Sequence, residues 1–464
     1  MKQTHLKTDY LVVGSGAMGM AFADVLVSES DADIIIVDSC ARPGGHWNNA
    51  YSFVTLHQPS AFYGVSSREL SNGKFDQFGL NKGLGSLATG AEIIAYFDAV
   101  MKEQFLPSKR VRYFPMCTYL GDGVFKNSLT GEVFEVMAGK TVDATYLKTS
   151  VPSTHTPNFD IAEDVSFMSL NDLPKINRRP EGYVIIGGGK TGIDAVLWLL
   201  GIGVDPDAIH WIMPRDGWML DRKNTQADIS FFNDTLGAQA LQFEAIASAH
   251  SVDDLFDRLE ASGVLLRLDT KVKPKMFHGA TVSQAELAKL RLVKNVVRMG
   301  RVKSIGLNER GLDGGAIPTG PGLVHVDCSA SAITNLEPTA IFQGDMIIPQ
   351  TVRSYQPVFS AALIAHIELV KKTEREKNEL CSVVPLPNHD TDWIRLMIPF
   401  MMNQYNWSRD NDIRDWLTQN RLDGFSGMVR GVSPDDIEKQ VILNRMKAAS
   451  LPAMAKLTQL VGQI

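Results

Sequence analysis

The sequence predicts an α/β protein with two similar β-α-β units, the second inserted within the domain that holds the first, followed by a helical C-terminal segment. Two stretches of the chain, which begin at Tyr10 and Tyr183, support this prediction. Each has a short apolar run, a glycine-rich turn, a run with helical spacing and a second run rich in β-branched residues. This order is typical of parallel strands that are connected by helices.

The composition is that of an average globular protein. The chain has 464 residues, of which 44% are hydrophobic and 21% charged, and its formal net charge is -6; this length suits two or three domains. No block of lysine or arginine indicates a nucleic acid or an anionic membrane surface as a partner. The four cysteines lie far apart, so we expect neither a metal site nor a dithiol centre. Without a signal-peptide core or an apolar run of membrane-spanning length, we expect a cytoplasmic protein that does not associate with membranes.

The first unit predicts a Rossmann-like dinucleotide-binding domain. Its expected elements are a strand, a helix and a second strand, over Tyr10–Val13, Met20–Val27 and Ile34–Val37. The turn after the first strand has the G-x-G-x-x-G spacing and consists of Gly14, Ser15, Gly16, Ala17, Met18 and Gly19. In this spacing the first glycine permits a tight turn, the second lets the backbone approach a pyrophosphate, and the third lets the helix pack closely on the strand. Asp38 ends the second strand, where a carboxylate can accept both hydroxyls of an adenosine ribose, which predicts FAD or NAD.

The segment after Asp38 favours FAD over NAD. Gly45, His46 and Trp47 follow Gly44, so a Gly-Gly turn that can pass close to a diphosphate is followed by a large aromatic ring. The alternative is a glycine turn beside a tryptophan of the hydrophobic core, because glycine pairs are common in turns.

The second unit predicts another Rossmann-like domain with a different nucleotide preference. Its expected elements are a strand over Tyr183–Ile186, a helix that ends at Leu200 and a strand over Ile209–Met213. Its glycine-rich turn contains Gly187, Gly189, Lys190, Thr191 and Gly192. Arg215 follows the last strand, where a guanidinium suits the 2′-phosphate of a ribose and a carboxylate would repel it. The unit therefore predicts NADPH, with Lys190 either near the phosphates or facing solvent.

A later segment is expected to return to the first domain. A strand is predicted over Thr339–Phe342, the pair Gly344-Asp345 follows it, and a helix is predicted over Val358–Lys371. From about Glu374 onward the signals are helical, with Ser433 as a helix-capping residue. The expected domain ranges are 1–172 and 306–371 for FAD binding, 181–305 for NADP binding and 372–464 for the helical segment.

Together these motifs resemble class B flavin monooxygenases, which include flavin-containing and Baeyer-Villiger monooxygenases and their N-hydroxylating relatives. The resemblance extends from about Tyr10 to Lys371 and rests on the two glycine fingerprints, the Gly-Gly-His-Trp segment and the later Gly-Asp pair. It implies that NADPH reduces FAD, that oxygen is transferred to a small organic substrate, and that Asp345 accepts a hydroxyl of the flavin's ribityl chain. It also implies that His57 or Gln58 lies near the flavin as a catalytic residue, whereas the alternative for both is a role in the local turn.

Two motifs of these monooxygenases are missing. Their F-x-G-x-x-x-H sequence would fall at Phe167–Leu173, which lacks the glycine and the histidine, and His155 lies at a different spacing. Their A-T-G-Y sequence is replaced by Asp327–Ser331 in the comparable region. Three functions therefore stay open: an NADPH-dependent flavin monooxygenase, an NADPH oxidase or dehydrogenase that passes electrons from FAD to another acceptor, and a flavin-binding protein without turnover. Large aromatic residues of the C-terminal segment, such as Trp393 and Trp407, are predicted to lie in the core rather than in a pocket.

Overall fold

The computed structural model describes residues 3–71, 73–330 and 336–464 as a mixed α/β fold, and Ser331 lies outside these residues. The strands in this part of the chain are β1 Gln3–Val13, β2 Ile34–Val37, β3 Gly64–Val65, β4 Arg68–Glu69, β5 Val111–Phe114, β6 Cys117–Gly121, β7 Val124–Asn127, β8 Val133–Asp143, β9 Asp160–Ile161, β10 Phe167–Ser169, β11 Gly182–Ile186, β12 Ile209–Ile212, β13 Gly217–Asp221, β14 Leu265–Leu266, β15 Met276–Val282, β16 Val296–Val297, β17 Val302–Ile305, β18 Glu309–Leu312, β19 Gly315–Pro318, β20 Leu323–Asp327, β21 Phe342–Gln343 and β22 Met346–Ile347. The α-helices are α1 Ala17–Glu29, α2 Gly90–Val100, α3 Lys190–Gly201, α4 Phe232–Ala247, α5 Val252–Ala261, α6 Gln284–Leu290, α7 Pro357–Val370, α8 Glu374–Glu379, α9 Asp392–Arg409, α10 Asn411–Gln419, α11 Ser426–Arg430 and α12 Ile437–Val461.

The first sheet is built around β1, which pairs in parallel with β2 and with β8. The strand order is β21-β22-β8-β1-β2-β5, and β7 pairs with both β6 and the beginning of β8. All four residues of β2 are buried, as expected of a central strand with both faces covered, and the predicted bounds of this strand are confirmed. β1 begins at Gln3, well before the predicted start at Tyr10, because its first half pairs with β8 from Val133 onward.

The second sheet is entirely parallel, in the order β10-β20-β11-β12-β16. β11, α3 and β12 confirm the strand, helix and strand that were predicted for the second unit. β10 and β20 lie outside the expected range of 181–305, because pairing with distant segments places both of them beside β11. We therefore propose that the second unit includes β10 and β20.

A hairpin formed by β21 and β22 joins the first sheet, since β22 pairs in parallel with β8. The strand predicted over Thr339–Phe342 is wrong in position, because only Phe342 and Gln343 form β21. The helix predicted over Val358–Lys371 is confirmed as α7. Its residues share a buried core with α1, to which Phe22 and Phe359 belong, and this core holds the hairpin segment near the first unit.

The C-terminal segment is helical, as predicted, with α8 to α12. Helices α4, α5, α9 and α12 enclose an apolar core that contains Trp393. The prediction that Ser433 caps a helix is wrong, because α12 begins at Ile437 and the Asp436 side chain accepts from the Lys439 N–H at 3.2 Å. The Ser433 hydroxyl instead accepts from the Asp435 N–H in a local turn. In the described part of the chain, every helix is too short or too polar to cross a membrane.

We expect acid to destabilise the protein through His325 of β20. Burial lowers the pKa of His325 to about 4, below its ordinary value near 6.5, so the unfolded chain binds the proton more readily. The neutral ring therefore contributes to the free energy of unfolding above about pH 6.5, and this contribution is lost as the pH falls toward the pKa of the folded protein. At pH 5 the loss is about 2 kcal/mol. The His325→Gln variant should show a smaller fall in the free energy of unfolding between pH 7 and pH 5 when unfolded with urea. The control is His250→Gln, a substitution at an exposed histidine; equal pH dependence in the wild type and His325→Gln would contradict the assignment.

Candidate functional site

The first glycine-rich loop connects β1 to α1 at the carboxyl end of the first sheet. Gly14 has a φ of 96°, a conformation that favours glycine, and a side chain on Gly19 would overlap the Gly14 carbonyl oxygen. No described residue accepts a hydrogen bond from the N–H groups of Gly16, Ala17 and Met18, which lie at the start of α1. These free donors lie at the positive end of the helix dipole, an arrangement that suits an anion.

Asp38 lies beside this loop, at the end of β2. Its Oδ2 accepts from the N–H of Ser15 at 2.5 Å and from the hydroxyl of Ser15 at 2.7 Å, and its Oδ1 accepts from the Cys40 N–H at 2.7 Å. A carboxylate has about four accepting positions, so about one stays open. The Ser15 hydroxyl would have to turn away before Asp38 could accept both hydroxyls of a ribose.

The turn at Gly44 and Gly45 lies directly against the first loop. The Gly44 N–H donates to the Ser15 carbonyl at 2.9 Å, and a Cβ on Gly45 would come within 2.9 Å of Gly16 Cα. The two backbones are therefore closer together than a side chain on Gly45 would allow.

The second glycine-rich loop connects β11 to α3 and repeats the geometry of the first. Gly187 has a φ of 133°, and a side chain on Gly192 would overlap the Gly187 carbonyl oxygen. The N–H groups of Gly189, Lys190 and Thr191 have no acceptor among the residues that the structure describes. Nothing lies within 4 Å of a Cβ on Gly189, so the loop is open at that point. The start of α3 therefore suits an anion in the same way.

Lys190 lines the first cavity beside the second loop rather than facing open solvent, and its role near the phosphates stays a prediction. Its Nζ contacts both carboxylate oxygens of Asp194, at 2.5 and 2.6 Å, and the same carboxylate accepts from the Tyr51 hydroxyl at 2.6 Å. The ammonium group is largely buried with its charge balanced by Asp194.

A cavity of about 970 Å³, the first cavity, extends from the second loop to the segment after Asp38. The lining side chains that matter for the site are His46, Trp47, His57, Lys190, Arg215 and Arg301. Burial lowers the pKa of His46 to about 4, so its ring is neutral near pH 7. Trp47 is fixed by a hydrogen bond from its Nε1–H to the Tyr63 hydroxyl, at 2.6 Å. The structure thus brings His46 and Trp47 into the same cavity as the second loop.

Arg215 and Arg301 form a cationic corner of the first cavity. The Arg215 guanidinium donates to the side-chain amide oxygen of Asn388 at 2.7 Å. Burial and the nearby charge of Arg301 lower the pKa of Arg215, while the carboxylates of Asp390 and Asp392 partly offset this effect. No carboxylate of the described residues forms a salt bridge with either guanidinium. Two like charges without such a partner suit a phosphate dianion.

Arg301 is a residue that sequence reasoning missed. It immediately precedes β17, far from Arg215 in sequence, and no local motif marks it. Only the folding of distant segments onto one cavity shows that the two guanidinium groups lie near each other.

His57 and Gln58 face different cavities. His57 lines the first cavity, whereas Gln58 lines a second cavity of about 740 Å³. The buried Arg222 donates from Nε to the His57 carbonyl at 2.7 Å, which fixes the backbone at this point. Burial, together with the charges of Lys190 and Arg222, lowers the pKa of His57 well below its usual value. The imidazole is therefore neutral near pH 7 and can donate one ring N–H.

The structure does not bring Gly344 and Asp345 to the first loop. Both residues are exposed, and they precede β22, whose Met346 is paired with Thr141 rather than with the end of β8 at Asp143. Nucleotide sites in parallel sheets lie beyond the carboxyl ends of the strands, and this turn lies at the other end of β22. This position argues against a hydrogen bond between Asp345 and a ribityl hydroxyl, which stays a prediction of the sequence alone. The motif is a hairpin turn, because a Gly-Asp pair has the same local sequence in both settings.

His155 lies in the first cavity, although its position in the sequence does not match the F-x-G-x-x-x-H motif of class B flavin monooxygenases. Its Nε2 is 3.2 Å from the Ser329 hydroxyl and 3.9 Å from the Asp327 carboxylate. The Ser329 hydroxyl donates to the same carboxylate at 2.6 Å. The fold thus brings His155 next to the residues at the end of β20.

Across the described residues, no group of three or more His, Cys, Asp or Glu side chains is arranged to hold a metal ion.

Comparison with known proteins shows a close sequence relationship and a more distant structural one. The chain is 47% identical over 428 residues to the uncharacterized protein Rv2000 of Mycobacterium tuberculosis (strain ATCC 25618 / H37Rv) and to the uncharacterized protein Mb2023 of Mycobacterium bovis (strain ATCC BAA-935 / AF2122/97), matching 92% of this chain and 80% of each relative. No model of a protein family matches the chain.

Solved structures with a similar arrangement include two monooxygenases. The flavin-containing monooxygenase from Stenotrophomonas maltophilia is 13% identical, with a TM-score of 0.44, over 81% of this chain and 100% of that one. The cyclohexanone monooxygenase from Rhodococcus sp. Phi1 bound to NADP+ is 13% identical, with a TM-score of 0.46, over 78% of this chain and 83% of that one.

Proposed function

The chain belongs to the protein family of Rv2000 and Mb2023, and from its site we propose that it is an FAD-dependent, NADPH-consuming oxidoreductase. More specifically, we propose a single-component flavin monooxygenase that acts on a small organic molecule with oxygen as its co-substrate. The observation that carries the proposal is the presence of two glycine-loop anion sites with different charges beside them. The first has the carboxylate of Asp38, and the second has the guanidinium groups of Arg215 and Arg301.

The first loop fits FAD. Free N–H groups of Gly16, Ala17 and Met18 suit a pyrophosphate, and α1 has no acidic residue in its first turn to oppose it. Asp38 suits a ribose that keeps its 2′-hydroxyl and disfavours one with a 2′-phosphate. The absence of a side chain at position 45 keeps the surface of the loop open to a diphosphate that passes beside the two backbones. We therefore assign FAD to this loop.

The second loop fits NADPH. Free N–H groups of Gly189, Lys190 and Thr191 suit its pyrophosphate. Arg215 and Arg301 suit the 2′-phosphate, because neither guanidinium forms a salt bridge with a carboxylate of the described residues. We therefore assign NADPH to the first cavity, beside the segment that contains His46 and Trp47.

The residues around these cofactors would bind, orient and shield them. FAD, when bound, would supply the hydride-accepting and oxygen-reducing chemistry. The two loops hold the pyrophosphates, and Trp47 is fixed in orientation by Tyr63. His57, held through its carbonyl by Arg222, presents a neutral imidazole to the first cavity, where it can donate a proton in a hydrogen bond without adding charge.

An NADPH oxidase is the second candidate, and one observation favours it. The segment Phe167–Leu173 lacks the glycine and histidine of the family motif, and the structure uses its first part as strand β10 of the second sheet. A nicotinamide nucleotide that is retained after hydride transfer excludes water from reduced flavin, and a site that holds it loosely loses that protection. Electrons from NADPH would then pass to oxygen as hydrogen peroxide.

Peroxide formed per NADPH consumed tests the proposed function and separates its two forms. We expect NADPH oxidation in air, with hydrogen peroxide as a major product in the absence of an organic substrate. The double substitution His57→Ala and Gln58→Ala should raise the peroxide flux, because it removes a neutral donor from the first cavity and opens the wall toward the second.

The control for this measurement is His250→Ala, at an exposed histidine outside both cavities, which should change neither rate. A peroxide ratio near zero in the wild-type protein would rule out loose retention and leave a tightly coupled monooxygenase. No oxidation of NADPH under any condition would rule out both forms.

A further inference from the structure

The second cavity lies on the other side of the chain segment that carries His57. Its lining comes from the middle of the chain and from the C-terminal helices, and Gln58 is the member of that segment that faces it. Much of the lining is apolar and includes Phe62, Leu236, Trp393, Met397, Phe400 and Trp407. Its volume of about 740 Å³ is within the usual range of small-molecule sites. Trp393 and Trp407, expected in the core, are buried and also line this cavity.

The charged residues that line the second cavity already have partners or lie at its edge. Arg353 is buried and its charge is balanced by a salt bridge with Asp423 at 2.7 Å, although its Nε–H has no hydrogen-bond acceptor among the described residues. The Asp221 carboxylate accepts from the Lys223 N–H at 3.0 Å and from the Gln284 amide at 2.6 Å. Arg414 and Arg430 are exposed, and Arg430 pairs with Asp415. A charged ligand would therefore lose its hydration without gaining an unpaired buried charge of opposite sign.

Three glutamine side chains in the same lining are uncommitted. Gln58, Gln239 and Gln404 make no hydrogen bond through their amides to any described residue, and each is partly accessible. An amide presents both donors and an acceptor, so it can recognise a hydroxyl or a carbonyl group of a ligand without a net charge. Free amides set in an aromatic and aliphatic wall are a common arrangement in specific small-molecule sites.

Ser354 and Tyr355, which directly precede α7, give a second indication that the second cavity binds a ligand. The Ser354 and Tyr355 hydroxyls are buried without a hydrogen-bond partner among the described residues, and both residues line the second cavity. Tyr355 also has a φ of 61°, a left-handed conformation that is rare for a bulky residue. Its ring occupies the space that a side chain on Gly279 would fill. Strained residues and unpaired polar groups of this kind are concentrated at ligand sites.

We infer that the second cavity binds the organic substrate, and that this substrate is an uncharged molecule with an apolar scaffold and at least one hydroxyl or carbonyl group. Gln58, Gln239 and Gln404 recognise its polar group, while the tryptophan and phenylalanine side chains pack against the scaffold. The inference rests on the proposed function, since it names the substrate class of the same enzyme. It places the substrate next to Gln58, and therefore across the His57-Gln58 segment from the NADPH cavity.

A matched pair of probes tests this inference by isothermal titration calorimetry on the full-length protein as purified. 2-Acetonaphthone is uncharged and carries one carbonyl group, whereas 2-naphthoate has the same ring system with a negative charge. We expect 2-acetonaphthone to bind at least about tenfold more tightly than 2-naphthoate. Replacing Gln239 and Gln404 together with leucine should weaken the binding of 2-acetonaphthone by at least about tenfold, because two amides that can hydrogen-bond the carbonyl are lost.

The control variant is Gln419→Leu, at an exposed glutamine outside the cavity, and it should bind both probes as the wild type does. Circular dichroism melting shows whether the double variant is folded, and Gln404→Glu, which adds a negative charge to the cavity, should independently weaken binding of 2-naphthoate further. Equal or tighter binding of 2-naphthoate, unchanged affinity in the folded double variant, or no binding of either probe up to about 1 mM would overturn the inference. FAD content and bleaching by NADPH, recorded on the same preparation, report separately on the proposed function.

Discussion

Replacing Gly16 with valine is expected to remove FAD from the purified protein. The Gly16 N–H lies at the start of α1 among donors that no described residue uses, so a pyrophosphate would pass directly over this position. A Cβ on Gly16 would make only an ordinary contact with Gly45, 3.6 Å from its Cα, so the protein itself tolerates the first carbon. Overlap with the ligand costs about 1–3 kcal/mol, which is roughly a 5- to 150-fold loss of affinity. Absorbance at the flavin band, divided by chain concentration, gives the occupancy.

Two further glycine substitutions make this experiment specific. Gly189→Ala introduces a methyl group into the second loop, where nothing lies within 4 Å of the new atom, and should keep FAD but raise the Michaelis constant for NADPH. Gly201→Ala, at the far end of α3, also has open space around the new atom and should change neither property. Full FAD occupancy in Gly16→Val would show that the first loop does not bind the pyrophosphate.

Replacing Arg215 with alanine is expected to remove most of the preference for NADPH over NADH. The Arg215 guanidinium is partly buried in the first cavity and lies near the like charge of Arg301. It donates a hydrogen bond to the side-chain amide oxygen of Asn388. Losing a charge-assisted contact to phosphate costs on the order of 2 kcal/mol, or roughly thirtyfold in affinity. The Michaelis constant for NADPH should therefore rise about thirtyfold, while that for NADH changes little.

Arg301→Ala should act in the same direction, because both guanidinium groups line the same corner of the cavity. Arg178→Ala serves as the control, since Arg178 is exposed and lies outside the cavity. Steady-state kinetics with each nucleotide, at constant ionic strength, separate the effects on the two substrates. Equal losses with NADPH and NADH in Arg215→Ala would mean that the residue supports the fold rather than the 2′-phosphate.

The two glycine units could be predicted from the sequence because their determinants are local. Each needs a strand, a helix and glycines at set positions, and the structure shows why at Gly19 and Gly192, where a side chain would overlap the carbonyl of the loop's first glycine. The same locality explains the correct bounds of β2, whose four β-branched residues are all buried. These features depend on neighbours within one β-α-β unit, which the sequence displays directly.

The sequence was least informative about positions where contacts between segments far apart in the chain determine the structure. Gly344-Asp345 has the local sequence of a flavin motif, but the pairing of β22 with β8 places it in a hairpin turn away from the loop. Arg301 reaches the corner beside Arg215 only through the fold of the second unit. The separation of His57 from Gln58 into two cavities depends on the backbone held by Arg222, which no pattern of residue types reveals.

The most direct test of the central claim is an anaerobic titration of the purified protein with NADPH, followed by its visible spectrum. We expect a flavin spectrum that corresponds to about one FAD per chain, bleaching by one equivalent of NADPH, little bleaching by NADH at the same concentration, and recovery of the spectrum when air is admitted. A protein that takes up no FAD, or whose bound flavin NADPH does not reduce, would contradict the assignment of the two glycine loops to these two cofactors.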